Sequence, residues 1–246
     1  MSKVIPQIIV IFIIGTVGGI FADQILWPYF IERPLFLEYR LDQPPVYINE
    51  TRETVIRENT ALENAVEKVE KTVVAIKSTK KTGKILYGSG LIYTSDGIVF
   101  SLAELVPQGS TFNFYIKEGS DFKKVNGQVI NRDLKNNLAQ IKLEAADLAT
   151  TGFNGFEKIK LGERVFLIGT EFKAKESILL PKSFVNQGIV SSFSQDLIET
   201  NIFEKNNVLG SPLFDIEGNV LGLNTVDSDG RIITIPVTQI KTFLGF

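Results

Sequence analysis

From Thr72 to Val237 the chain is a succession of short β-branched and aromatic runs, and few folds accommodate that pattern. TVVAIKS, KILYGSGLIY, GIVFSLAEL, TFNFYIK, KVNGQVI, LAQIKL, RVFLIG, VNQGIVSSF, LIETNIF, SPLFDI, NVLGLNTV and RIITIPV follow one another, most of them separated by Gly, Asn, Asp or Pro. Such residues fit a pleated, half-buried surface, and the interruptions read as turns. About a dozen strands with hardly any helix among them point to an all-β fold of antiparallel barrels or a sandwich. The C-terminal VTQIKTFLGF reads as a short closing helix. Asp227-Ser228-Asp229-Gly230 reads as a hairpin turn and not as a cation loop, since the further ligands of a calcium site are missing from the sequence around it.

The segment before the strands differs in kind. Val4 to Ala22 carries no charge and includes an unbroken apolar block from Ile8 to Ile14, about the length that crosses a bilayer as a helix. Trp27, Tyr29 and Phe30 follow where an interfacial aromatic belt is expected. Lys3 precedes the run while Asp23 and Glu32 follow it, which favours a cytoplasmic N-terminus. Residues 1–30 are therefore expected to be a single-pass membrane anchor with the rest of the chain extracytoplasmic, in the cell envelope, periplasm or extracellular space. A cleaved signal peptide is the alternative, for which this apolar core is long. The Gly15 and Gly19 spacing is ordinary for a membrane helix. Residues 31–71 read as a stalk broken by Pro34, Pro44 and Pro45 and closed by a short amphipathic helix near 59–71, where Ala61, Leu62, Ala65, Val66 and Val69 recur at helical spacing. Asn49-Glu50-Thr51 matches a glycosylation sequon, meaningful only in a eukaryotic secretory pathway. Two strand-rich halves are expected after it, 72–155 and 156–246.

Composition removes whole classes of chemistry. There is no cysteine and no histidine, hence no disulfide, no thiolate nucleophile, no imidazole base and no His-ligated or thiolate-ligated metal. A formal net charge of −2 lacks the basic excess of a nucleic-acid binder. No dinucleotide glycine pattern, phosphate loop or internal repeat is present, and no cofactor or metal is expected.

Several stretches, in order, carry a family resemblance. Gly88-Ser89-Gly90-Leu91-Ile92-Tyr93-Thr94-Ser95-Asp96-Gly97 and the following Ile98 to Val106 resemble a GSG strand, a DG turn and a strand ending in a TNxHV motif. Asn136-Asn137-Leu138-Ala139-Gln140-Ile141-Lys142-Leu143 resembles a D-L-A-V-L-K strand, and IETNIFEKNNVLGSPLFDIEGNVLGLNT, from Ile198 to Thr225, is similar without a gap to QTDAxxxPGNSGGPLxxxxGxVxGxNT. The strands around Leu161 to Gly169 and Gln187 to Ser191, and Ile235-Pro236-Val237, fit the same pattern. Together these resemble the trypsin-like serine proteases of the HtrA (Deg) type over residues 70 to 246. The resemblance implies a double antiparallel β-barrel, six strands in each barrel, with catalytic groups in the cleft between them. The HtrA type carries a PDZ module, which is not expected here.

What the resemblance implies for chemistry is a loss. The histidine position falls on Glu104, the aspartate position on Asn137 and the serine position on Leu209; the aspartate of QTD reads Asn201. A triad needs a nucleophile, a base and an orienting acceptor, and Leu209 has no lone pair with which to attack. Ser211, two residues on, reads as a packing residue, and Lys205 as a surface lysine. Asn207 stands where the family has a glycine that shapes the oxyanion hole. Asparagine tolerates positive φ, so the loop Asn207-Val208-Leu209 is expected to keep the turn, with the amides of Asn207 and Leu209 aimed into the cleft as a residual peptide-binding feature. Val208 and Leu209 are expected to fill the old cleft. The expected function is that of a membrane-anchored, proteolytically inactive homologue that binds a protein or peptide, an exposed strand edge being its natural means. The alternatives are an unorthodox peptidase of the same fold and an architectural envelope protein.

Overall fold

The computed structural model describes residues 4–26, 58–153, 159–175 and 178–245. The chain divides into two units, Met1–Thr54 and Val55–Phe246. The first holds the helix α1 (Val4–Phe21), 18 residues long, followed by a π-helical turn over Ala22–Leu26. Its large apolar side chains from Ile9 to Phe21 are exposed. Among the described residues no helix is long and apolar enough to cross a membrane, which corrects the expected transmembrane span. The π-helical turn that follows α1 brings in Asp23. The aromatic belt at Trp27, Tyr29 and Phe30, the proline-broken stalk and the sequon at Asn49 lie outside the described residues.

The second unit opens with α2 (Glu58–Val69). Seven antiparallel strands then form one sheet: β1 (Val73–Thr79), β2 (Ile85–Ile92), β3 (Ile98–Leu102), β4 (Thr111–Glu118), β5 (Asp121–Val125), β6 (Gly127–Asp133) and β7 (Leu138–Leu143), in the spatial order β5-β4-β1-β2-β3-β7-β6. A closed six-stranded barrel follows, built from β8 (Arg164–Lys175), β9 (Ile178–Phe193), β10 (Ile198–Thr200), β11 (Pro212–Asp215), β12 (Val220–Val226) and β13 (Ile232–Pro236), and α3 (Val237–Phe243) ends the chain. The second half thus has the expected barrel and closing helix. The first half does not close. The run KVNGQVI, expected as one strand, breaks at Asn126 into the ends of β5 and β6, which sit at opposite edges of the sheet. The chain passes close to its neighbours just after the break: a Cβ on Gly127 would lie 2.8 Å from the Lys142 carbonyl oxygen and 3.1 Å from the Phe114 ring. Gly127 opens β6 at that close approach, paired with Leu143 of β7.

Two interior cores and one shared core hold the unit together. Val74, Ile76, Val99, Phe114 and Ile141 fill the sheet, and Val165, Leu167, Ile198, Leu213 and Leu221 fill the barrel. The third core joins them: Leu91, Phe100 and Leu138 from the sheet meet Phe166, Phe214 and Ile240 from the barrel side, with Phe166 and Phe214 stacked at 5.3 Å between ring centroids. Each fully buried side chain of this size contributes about 1.5–3 kcal/mol of transfer free energy. Helix α2 belongs to this core and is no stalk, since Ala65 and Val69 are buried in it and the Lys68 ammonium donates to the Glu217 carbonyl at 2.7 Å. A buried polar zip completes the junction. Thr170 N–H on β8 donates to Ser89 Oγ on β2 at 2.9 Å, and Thr170 Oγ1 donates to the Gly88 carbonyl at 3.0 Å.

Strands β8 and β9 form a hairpin far longer than RVFLIG and VNQGIVSSF suggest, paired without a register shift from Arg164↔Ile189 to Lys175↔Ile178. Its extension leans on the sheet through Phe172, whose ring contacts Tyr87 at 4.8 Å and Tyr115 at 5.7 Å.

Candidate active-site cleft

The site is assembled from three loops. The first is the one-turn 3-10 helix Ala103–Leu105 at the end of β3, which turns Glu104 to the surface while Ala103 and Leu105 are buried. The second is the turn between β6 and β7. Asp133 organises it by accepting the backbone N–H groups of Lys135 at 2.9 Å and Asn136 at 3.1 Å. The Asn136 N–H, joined by its side chain, holds the Asp133 carboxyl below the ordinary carboxylate value. This wrapping drives the next residue, Asn137, to φ 54°, a left-handed conformation that asparagine tolerates better than most residues. The third is the loop from Asn207 to Ser211 between β10 and β11.

Glu104 and Asn137 hold each other by two points. Asn137 Oδ1 accepts the Glu104 backbone N–H at 3.0 Å, and Asn137 Nδ2 donates to Glu104 Oε1 at 2.7 Å. The Asn137 carbonyl also takes the N–H of Ala103 at 3.1 Å. Thr225 Oγ1 on β12 donates to the same Glu104 oxygen at 3.2 Å. Its neighbour Asn224 accepts the N–H of Gly210 through its carbonyl at 2.8 Å. Two consecutive residues of β12 therefore tie Glu104 and the Leu209 loop to one strand, so the three positions expected to share a site do converge. Thr225 and Asn224 were not singled out by sequence reasoning. The available signal was two polar residues inside the apolar run VLGLNTV, where both are buried and so require partners.

The Leu209 loop departs from expectation in its backbone. Among the described residues only Asn137 and Asp147 are non-glycine residues with positive φ, so Asn207 is not in the left-handed region. The Leu209 N–H is not aimed at an open cleft but donates to Asn207 Oδ1 at 3.0 Å, while Asn207 Nδ2 donates to the Tyr87 carbonyl. The expected open pair of oxyanion donors is corrected accordingly: one is satisfied within the loop. Val208 is 3% exposed and sits in the barrel core, and Leu209 packs against the shared core. Ser211 is wholly buried, with Oγ donating to the Val208 carbonyl at 2.6 Å and accepting Asn224 Nδ2 at 3.1 Å. It braces the loop as a packing residue. Lys205 is exposed, and Asn201 Oδ1 accepts the Ile189 N–H at 2.8 Å. The Asp227 to Gly230 segment is the β12–β13 turn, closed by Asp227 Oδ1 accepting the N–H groups of Asp229 and Arg231 at 2.9 and 2.8 Å.

Beside Glu104 the surface sinks into a cavity of about 580 Å³ whose walls include Lys80, Glu104, Pro107, Arg132, Leu134 and Asn137. It combines two cations, one anion, the carboxamides of Gln108 and Asn137 and an exposed leucine, a set suited to holding a chain by hydrogen bonds and apolar contact. No group of three or more metal-ligating side chains occurs among the described residues.

The family model for the trypsin-like peptidase domain matches residues 88–223, more than half of the chain, and the chain belongs to that family. Among its relatives are a "Probable periplasmic serine endoprotease DegP-like" of Halomonas elongata, 27% identical over 146 residues covering 56% of this chain and 29% of that protein. A protein of the same name from Pseudomonas fulva is 30% identical over 146 residues, 56% of this chain and 28% of that protein. "Serine protease HTRA1" of Xenopus tropicalis is 28% identical over 172 residues, 64% of this chain and 35% of that protein. The chain thus spans about a third of the length of the curated relatives it matches.

Proposed function

We propose that this chain is a proteolytically inactive trypsin-like serine protease homologue that works by binding a protein or peptide. The observation that carries this reading is the chemistry at the three converging positions. Leu209 offers no nucleophile, Glu104 Oε1 is engaged by Asn137 Nδ2 and Thr225 Oγ1, and the neutral Asn137 carboxamide supplies no charge to stabilise a protonated base. Triad groups act as a unit, so replacing all of them removes nearly the whole rate enhancement. The cavity beside Glu104 remains, and inactive enzyme folds retain recognition when chemistry is gone. The word periplasmic in the names of the DegP-like relatives supports an extracytoplasmic location. The exposed apolar side chains of helix α1 support association with a membrane surface.

The test uses the full chain with fluorescein-labelled, unfolded casein. Fluorescence anisotropy rises with protein concentration, gels show no new fragments, and Leu209→Arg weakens binding about tenfold through loss of one buried contact of ordinary strength. Fragments that vanish in Leu209→Ala or Glu104→Gln would establish the unorthodox-peptidase reading instead. Binding indifferent to Leu209→Arg would favour the architectural one.

A further inference from the structure

The Asn207 side chain makes contacts that a bound peptide would otherwise make. A carboxamide has the same polar groups as a peptide unit, an oxygen that accepts and an N–H that donates. Asn207 uses both: Oδ1 takes the Leu209 N–H at 3.0 Å, and Nδ2 donates to the carbonyl of Tyr87 on β2. Tyr87 lies on a part of β2 that β3 leaves uncovered, because β3 pairs with β2 only at Leu91 and Ile92. Two residues along, the Ser89 N–H donates to the Leu209 carbonyl at 2.9 Å. The segment 207–209 thus lies along the edge of β2 in place of a strand.

We infer that Leu209 N–H and the Tyr87 carbonyl form a binding site for one peptide amide, that Asn207 occupies it as an internal ligand, and that an extended peptide enters by displacing that side chain. This deepens the binding reading above and rests on it. Two features favour displacement over a permanent clasp. Asn207 is exposed while Val208 and Leu209 are not, so its carboxamide has solvent to move into. The backbone behind it is fixed independently: Gly210 N–H is held by the Asn224 carbonyl at 2.8 Å, Ser211 N–H by the Val208 carbonyl at 2.9 Å, and Val208 is buried in the barrel core. When the side chain swings out, donor and acceptor stay in place, already oriented for an amide, and little ordering remains to be done on binding. The internal ligand lowers apparent affinity by the fraction of time it occupies the site. Two hydrogen bonds of ordinary strength set that factor at about tenfold to hundredfold.

The experiment compares the full chain with Asn207→Gly and Asn207→Asp, using a fluorescein-labelled, capped hexapeptide of alternating valine and threonine. Anisotropy gives affinity, and NMR-detected hydrogen exchange follows the Leu209 amide. The expected result is at least tenfold tighter binding by Asn207→Gly, with the Leu209 amide protected in the parent, exposed in the free glycine variant and protected again once peptide is added. Asn207→Asp keeps the acceptor for Leu209 N–H but turns a carboxylate toward the Tyr87 carbonyl, so it leaves Leu209 protected and falls between the other two in affinity. It carries the test alone if the glycine variant does not fold. No gain in affinity in the folded variants, or a Leu209 amide unprotected in the parent, overturns the inference. Cleavage of the peptide would overturn the inactive reading and leave the affinity comparison standing.

Discussion

Replacing Gly210 with alanine tests the wedge between the Leu209 loop and the sheet. Gly210 has φ +72°, and a Cβ there would lie 2.2 Å from the Ser89 carbonyl oxygen and 2.9 Å from Ser101 Oγ. The left-handed conformation costs a non-glycine residue about 1–2 kcal/mol. The collision is with backbone, so it is relieved only by moving the loop off β2. That stretches the Ser89 N–H bond to the Leu209 carbonyl and the Gly210 N–H bond to the Asn224 carbonyl, each worth about 0.5–1.5 kcal/mol. The expected loss is therefore about 2–5 kcal/mol, a large part of the roughly 5–15 kcal/mol of an ordinary domain. Gly162→Ala is the control: Gly162 has φ +78° with nothing within 4 Å of its would-be Cβ, so it shows the conformational cost alone, about 1–2 kcal/mol. Urea unfolding followed by the far-ultraviolet signal gives both numbers, with slopes unchanged between variants. Equal losses at the two glycines would refute the wedge.

Three further outcomes follow from the same contacts. Ser89→Ala strands the buried Thr170 N–H at the sheet–barrel junction, while the Thr170 hydroxyl keeps its bond to the Gly88 carbonyl, and lowers stability by about 1–3 kcal/mol in the same urea assay; a loss below a few tenths would mean the zip is not structural. Phe172→Ala removes the ring that meets Tyr87 and Tyr115 and raises hydrogen exchange along Phe172–Lys175 while leaving β11 and β12 protected; uniform change across the barrel would contradict a locally anchored hairpin. The Asp133 carboxyl, held below its ordinary 3.8 chiefly by the Asn136 N–H, stabilises the turn at pH above that value and loses the contribution as pH falls through its lowered folded value. Its carboxyl carbon NMR titration therefore has a midpoint under 3.8, and Asn136→Ala moves that midpoint up; a midpoint at or above 3.8 in the parent would show that the turn does not depend on this carboxylate.

Much of this molecule is legible in its sequence because local chemistry and tertiary fold agree there. The alternation of apolar runs and turn residues marks most strands, Asp227 to Gly230 announces its hairpin, and the spacing of Glu104, Asn137 and Leu209 within their motifs names the converging positions. What escapes is set by partners distant in the chain. Phe172 lies between the expected strands RVFLIG and VNQGIVSSF, yet it finds an aromatic seat on β2 and β4 and the hairpin extends. The break at Asn126 is set by pairing, since the chain leaves β4 through β5 and joins β7 through β6. Asn207 was read by its tolerance of positive φ, a backbone property, whereas the structure uses its side chain to bridge Leu209 and Tyr87. The apolar N-terminal run reads as a span by composition, and among the described residues no helix is long and apolar enough to cross a membrane.

The most direct measurement is the intact mass of the full chain after incubation with a serine-directed phosphonate, taken alongside a fluorogenic casein digest. With leucine at position 209 and Ser211 sealed in hydrogen bonds, the mass stays unchanged and the digest does not exceed that of Leu209→Ala. A phosphonate adduct, or turnover lost on Leu209→Ala or Glu104→Gln, would contradict the assignment of this cleft to binding without catalysis.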